Sequence, residues 1–323
     1  MPSRAHALKA ESPGRGSLVA IGNFDGVHLG HRAVIEAVVS EARQSGLRPL
    51  VLTFDPHPAQ VLGRGIRPPL TLLERKVDLI ERLGSELSVV VEPFTIELSQ
   101  VTPERFASEF VVELLGAKVV IVGENFRFGH ERAGDLPTLV ALGEQLGFTA
   151  RASSLSGDAS GPYSSTRARA ALAAGDLPAV EGVLGRPHSV SGLVVSGAQR
   201  GRTIGVPTAN LGGVAEALPP YGVYAVLVDR VRDGAGVALG IGVANIGLRP
   251  TVNAGFSAEV HLLDFSEDLY GATLRVHLVA HLRAEQKFAG LDELKAQIGH
   301  DIGQARAALA GLSPDPMARG AWR

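Results

Sequence analysis

"IGNFDGVHLGH", residues 21–31, ends the apolar run 18–21 and places two histidines three apart at the start of a helical pattern. In 31–45, Val34, Ile35, Val38, Val39 and Ala42 recur at one-turn spacing, which specifies a single buried helix face. A strand feeding a glycine-bearing turn and then a helix aims backbone N–H groups and the positive end of the helix dipole at whatever occupies the turn. Such a turn favours phosphate. His28 and His31 would add two imidazole donors able to stabilise charge developing on phosphate oxygens. On these residues alone, a metal pair or a plain helix start with surface histidines stays open.

Outward from this stretch, residues 50–54, 87–91 and 118–122 read as further buried strands, with helices over 71–83 and 103–115 between them. Near-continuous apolar strands alternating with helices predict an α/β domain, a doubly wound parallel sheet with ligands at the strands' carboxyl ends. Residues 165–184 are Ala-rich and helical in pattern until Gly185-Arg186-Pro187 breaks them. The apolar segments 192–195, 221–228, 239–243, 258–263 and 273–283 then follow without helices between them, which predicts a small antiparallel β-barrel. Leu291, Leu294, Ile298 and Ile302 mark one closing helix. The expected domains are 1–184 and 185–312, with 313–323 a disordered tail.

A length of 323 residues suits two domains, each able to bury its own core. The net charge of -2, with Lys and Arg dispersed, argues against a nucleic-acid surface and for small-molecule partners. No apolar run reaches about eighteen residues, and residues 1–16 lack the apolar middle of a signal peptide, so no membrane partner and a cytoplasmic address are expected. The absence of cysteine leaves only oxygen or imidazole ligands for any metal. Composition specifies no oligomeric state.

The second half carries its own constellation. In "SGAQRGRTIGVPTANL", residues 196–211, Gly197, Gly201 and Gly205 recur every four positions beside Arg200 and Arg202, so the backbone can approach phosphates closely. No Gly-Lys-Ser/Thr follows, which excludes a P-loop. Thr208 and Asn210 offer hard oxygen ligands suited to Mg²⁺ and its bridging phosphates. In "SAEVHLLDF", residues 257–265, alternation puts Glu259 and His261 opposite Val260 and Leu262, so Glu259 is displayed; a solvated carboxylate fits equally.

Three loops in the first half read blandly when taken alone. "TFDPHP", residues 53–58, is an extended proline turn. "VGENFRFGHERAGD", residues 122–135, carries two phenylalanines suited either to stacking on a ligand or to packing beneath a loop. "SSTRAR", residues 164–169, is an N-cap followed by a helix.

Taken together, these blocks resemble the bacterial bifunctional riboflavin kinase/FAD synthetase family, in the family's order, from residue 17 to about 305. "GNFDGVHLGH" is similar to its phosphate-binding signature, whose H-x-G-H is shared by the wider nucleotidyltransferase superfamily. The resemblance implies ATP contacts by Gly22, Asn23, Phe24, Asp25, Gly26 and Asn125, with adenine and phosphate contacts by Ser164, Ser165, Thr166 and Arg167. It implies flavin contacts by Phe54, Pro56, Pro58, Phe126 and Phe128, and charge stabilisation by His28 and His31. For the kinase half it implies phosphate contacts by Gly201 and Arg202, Mg²⁺ on Thr208 and Asn210, and Glu259 as base. "DLYG", residues 268–271, and 287–302 also resemble the kinase module. Tyr163, Ala168 and Leu62 depart from the family's usual residues. The implied reactions are riboflavin plus ATP to FMN, then FMN plus ATP to FAD and pyrophosphate.

Overall fold

The computed structural model describes residues 15–63, 65, 67–153, 156–197, 205–232, 234–248 and 256–312. The tail expected to be disordered, Gly201 and Arg202 lie outside the described residues. The chain divides into two compact units, 1–67 with 73–163, and 68–72 with 164–323.

The first unit is a five-stranded parallel sheet of order β3-β2-β1-β4-β5. Its strands are β1 (Ser17–Ile21), β2 (Arg48–Asp55), β3 (Ser88–Pro93), β4 (Ala117–Val122) and β5 (Thr149–Ala152). All five residues of β1 are buried, as the apolar run 18–21 requires of a central parallel strand, with the Ser17 hydroxyl satisfied by donating to the Leu115 carbonyl at 2.6 Å. Helix α1 (Leu29–Ser45) buries Ile35, Val38 and Ala42, and Gly46 ends it in the left-handed region at φ 69° with its N–H on the Ala42 carbonyl. The strand order reverses at β1, so a crevice is expected at the carboxyl ends of β1 and β4.

Several elements differ from the sequence expectation. Helix α2 spans Leu73–Glu81 and buries Arg75 and Lys76 alongside Leu79 and Ile80. The expected helix over 103–115 begins as Pro103–Arg105 and continues as a π-helical stretch, Phe106–Leu114, together α3. Apolar spacing of three and four tolerates either winding, and main-chain bonds such as Leu115 N–H to the Phe110 carbonyl decide for the wider one. Helix α4 (Leu136–Leu146) and β5 complete the layer. The sequence "TARA" of β5 offers no apolar run from which to infer a strand.

In the second unit the Ala-rich stretch forms two helices, α5 (Ser165–Ala174) and α6 (Leu177–Leu184). Gly175, at φ 76°, stops the first; Asp176 caps the second by accepting the Ala179 N–H, and Pro178 sits in its first turn. A closed barrel of order β8-β9-β10-β7-β6-β11 follows. Its strands are β6 (His188–Val195), β7 (Ala209–Gly212), β8 (Gly222–Arg232), β9 (Ala235–Leu248), β10 (Phe256–Leu262) and β11 (Thr273–Ala284). Strand β7 holds Asn210, in a segment whose sequence reads as loop.

The closing helix α7 (Leu291–Ala308) packs Ala305 and Leu309 against Ala225, with Leu227 and Val243 alongside. Asp301, almost fully buried on this helix, accepts three N–H···O contacts from Arg283 of β11 at 2.8–3.1 Å and one from Gln297 at 2.8 Å. The Arg283 guanidinium also lies 5.6 Å from the Phe288 ring centroid. Removing one partner of such a pair strands the other's charge. Asp301→Ala is expected to destabilise the barrel unit by about 3 kcal/mol, measured by urea unfolding followed by circular dichroism; Asp301→Asn, which keeps an acceptor, is expected to lose less.

Candidate active sites

In the first unit, the turn after β1 is tightly built. Gly26 lies at φ 81°, while Phe24 and Val27 hold φ 50° and 40°, a left-handed region in which a β-branched valine is costly. Phe24 and Val27 are buried, so the turn is anchored by apolar contacts at both ends. Local strain retained in this way commonly marks a working loop.

His28, only 6 % exposed, is the N-cap of α1: its Nδ1 accepts the backbone N–H of His31 at 3.2 Å. An accepting Nδ1 places the neutral ring's proton on Nε2. The two imidazoles stack with centroids 3.5 Å apart, and Phe24 meets His31 edge-on at 5.1 Å. Gly30 keeps this stack in place, since a Cβ there would stand 3.1 Å from His28 Nδ1. No acidic residue occupies the first turn of α1, so the positive end of the helix is not offset by its own side chains.

The loops after β2 and β4 leave the same edge of the sheet. Phe54, half-buried, meets Phe94 edge-on at 6.0 Å; Pro56 is exposed, and Pro58 opens a one-turn helix capped by His57. After β4, Asn125 is exposed and Phe126 half-buried, and Phe126 stacks on Phe128 at 5.5 Å. Phe128 itself is 6 % exposed, lies 5.5 Å from Phe106, and occupies the space a Cβ on Gly134 would need. It forms the floor beneath Phe126. In the second unit, Ser164 caps α5 by accepting the Arg167 N–H at 3.1 Å, so Ser165, Thr166 and Arg167 form that helix's first turn.

Two ionisable groups near these loops escaped the sequence reading. Lys76, 7 % exposed, donates from Nζ to the Thr53 hydroxyl at 3.2 Å and to the carbonyls of Asn23 and Phe54 at 3.3 and 3.4 Å. Burial pulls its ammonium below the usual lysine range, while Asp55 and then Asp25 pull it back up. Glu92 lies opposite Phe54 in the β2–β3 register, and burial pushes its carboxyl up. A lone polar residue in an amphipathic helix or at a strand end carries no signal of burial.

In the second unit, alternation along β10 buries Ala258, Val260 and Leu262 and turns Glu259 and His261 to the opposite face. That face is only partly open to solvent. Glu259 is half-buried and lines a cavity of about 250 Å³ with Thr208, Asn245, His261, Ile298 and Ile302. Asn210 of β7 and Asn245 of β9 are the register partners of Glu259 on either side. Ser257 donates to Glu259 Oε1 at 3.3 Å, and His261 Nδ1 bonds the Pro207 carbonyl at 2.8 Å, holding the chain just before Thr208.

Among the described residues there is no cluster of three or more His, Asp or Glu able to hold a metal. The alternative of a metal pair at His28 and His31 gains no third ligand of that kind. The donors at Thr208 and Asn210 are hydroxyl and amide oxygens, chemistry that suits a hard divalent cation completed by phosphate oxygens and water. The Asn210 amide lies against Gly197, where a Cβ would stand 2.5 Å from Asn210 Cγ and 2.7 Å from its Oδ1. Only glycine leaves that space to the amide.

Comparison with known proteins agrees with both halves. The FAD synthetase family model matches residues 10–167 and the riboflavin kinase model residues 184–309. The chain is 41 % identical over 300 residues to the bifunctional riboflavin kinase/FMN adenylyltransferase of Escherichia coli (strain K12), covering 92 % of this chain and 94 % of that one. It is 36 % identical over 308 residues to the protein of the same name from Bacillus subtilis (strain 168), covering 93 % and 94 %. A crystal structure described as a macrolide-efflux protein from Streptococcus pneumoniae has a TM-score of 0.78 at 27 % identity, covering 91 % of this chain and 95 % of that one. Among the described residues no helix is long and apolar enough to cross a membrane. The chain belongs to the bifunctional riboflavin kinase/FMN adenylyltransferase family, its FAD synthetase region preceding its flavokinase region.

Proposed function

We propose that each activity of this family is carried by its own set of side chains: His28 and His31 for adenylyl transfer, Glu259 with Thr208 and Asn210 for phosphorylation. The observation that carries this assignment is the separation of the donor sets. Stacked imidazoles sit at a helix start in one unit; in the other, Glu259 and Thr208 line a cavity and Asn210 is the strand neighbour of Glu259.

In FAD formation, a phosphate oxygen of FMN attacks the α-phosphorus of ATP and pyrophosphate leaves. The nucleophile is already anionic, so stabilising charge matters more than removing a proton. His28 offers Nε2–H, because its Nδ1 is engaged with the His31 amide. Gly22, Asn23, Phe24, Asp25 and Gly26 shape the turn for ATP phosphates, with Asn125, Ser164, Ser165, Thr166 and Arg167 assigned ATP contacts by the family resemblance. Phe54, Pro56, Pro58 and Phe126 are assigned to the isoalloxazine, with Phe128 supporting Phe126 from below.

In FMN formation the ribityl hydroxyl of riboflavin is protonated at neutral pH and benefits from a positioned base. Glu259 is assigned that role: it takes the hydroxyl proton as the oxygen attacks the γ-phosphorus and ADP leaves. ATP-using kinases and adenylyltransferases generally need a divalent metal, which supplies neutralisation of bridging phosphate oxygens. Here we assign it as Mg²⁺, held by Thr208 and Asn210, with Gly201 and Arg202 assigned phosphate contacts by resemblance. Riboflavin, FMN, FAD and ATP are the proposed small-molecule partners, in the cytoplasm, with family domains over 1–184 and 185–312.

Purified protein given riboflavin, ATP and Mg²⁺, and followed by chromatography, is expected to form FMN and then FAD. His28→Ala with His31→Ala is expected to slow FAD formation on the order of a hundredfold or more, with FMN formation intact. Glu259→Gln is expected to slow FMN formation on the order of a hundredfold, with FAD still made from supplied FMN. Loss of both activities in either variant would contradict the assignment.

Gly197→Ala provides a subtler check, because the added methyl must displace the Asn210 amide. It is expected to cost riboflavin phosphorylation about tenfold, as a displaced ligand would, and to spare FAD synthesis from FMN.

A further inference from the structure

Lys76 has no part in the reactions assigned above, yet it joins their two substrate loops. Its ammonium has three N–H donors and three oxygen acceptors: the Asn23 carbonyl, the Thr53 hydroxyl and the Phe54 carbonyl. Asn23 lies in the turn after β1, assigned to ATP; Thr53 and Phe54 are at the carboxyl end of β2 and lead into the loop assigned to the flavin. Thr53 adds a second strut by donating its hydroxyl to the same Asn23 carbonyl at 3.1 Å. The main chain contributes a third, from Gly22 N–H to the Leu52 carbonyl at 3.1 Å.

Resting on the assignment of FAD synthesis to this edge of the sheet, we infer that Lys76 is a positioning residue for adenylyl transfer, pinning the ATP-phosphate turn to the flavin loop.

None of the three acceptors is a carboxylate, so direct contact does not neutralise the ammonium. Burying an ammonium is costly and a methionine of similar length would fill the space without that cost. A packing role alone therefore gives no reason for the charge. Lys76 is enclosed and its donors are already matched to protein oxygens, so its action on substrate passes through the loops it holds. Each substrate binds its own loop; only the in-line approach of the FMN phosphate to the α-phosphorus of ATP depends on both loops together. A small misplacement of reacting groups costs turnover more than binding.

The test measures FAD formation from FMN and ATP by full-length protein, with riboflavin phosphorylation by the same preparation as reference. Lys76→Met is expected to lower kcat for FAD formation about ten- to a hundredfold. KM for ATP and for FMN is expected to move less than about threefold, and riboflavin phosphorylation to stay unchanged. A raised KM for ATP at unchanged kcat would identify Lys76 as a phosphate ligand and overturn the inference, as would unchanged kinetics. Thr53→Val, nearly isosteric, guards against misfolding of the lysine variant. It is expected to lower kcat about threefold or more by removing one acceptor and one strut, and unchanged kcat in this variant would overturn the inference by itself. The double variant is expected to lose less than the product of the two single losses, whereas a full product would also overturn it. His28→Ala with His31→Ala in the same assay separates the two readings. If that variant keeps making FAD, the site assignment fails; if it is inactive while Lys76→Met is normal, only the role of Lys76 fails.

Discussion

A parallel strand buried on both faces can offer polar chemistry only at its ends, and β1 is such a strand. Hydrogen-bonded to β2 on one side and β4 on the other, it occupies the position where the strand order reverses. The chain leaving β1 at Ile21 therefore emerges into the crevice of the sheet, flanked by the loops of its two neighbours. The strained turn, the capped helix and the stacked imidazoles all follow from that exit. Had β1 been an edge strand, the same eleven residues would have opened to solvent on one side.

The second unit meets the opposite constraint. A closed barrel has no free edge, so its polar groups must come from one face of the alternating strands. Strand β10 buries Ala258, Val260 and Leu262 on one face and turns Glu259 and His261 to the other. Helix α7, joined to β11 through Arg283 and Asp301, covers that face and turns a half-exposed carboxylate into the wall of a cavity. The cavity wall at Glu259, the proposed kinase base, thus depends on a helix more than thirty residues away in the chain, whose own sequence shows only an ordinary apolar stripe.

Local order made much of this legible. The four apolar strands of the parallel sheet, helix α1 and five of the barrel strands each carry a periodicity of their own, because burial on one face imposes it; the stripe of α7 is legible too, but Leu291 is exposed and Leu294, Ile298 and Ile302 line the cavity while Asp301 and Ala305 are the buried residues. Elements without such a pattern gave no strand signal: β5 is short and half polar, and β7 hides in a glycine- and proline-bearing stretch, whereas the break between α5 and α6 is written locally, in Gly175, Asp176 and Pro178, within a run otherwise rich in Ala. The π winding of α3 shares its apolar spacing with an α-helix, so only the main-chain bonds distinguish them.

By itself the sequence determined the two-part architecture, the phosphate-favouring character of the turn after β1, and the residue types available at each site. The reason is that turn chemistry, capping and apolar periodicity are properties of contiguous residues. Tertiary structure alone decided that Phe128 packs against Phe106 beneath the loop and that Glu259 lines a cavity together with residues of α7. It alone brought Lys76 beneath Asn23 and Phe54. Those features depend on contacts between residues distant along the chain, and nothing in a lysine on an amphipathic helix announces three oxygens waiting at the ends of two strands.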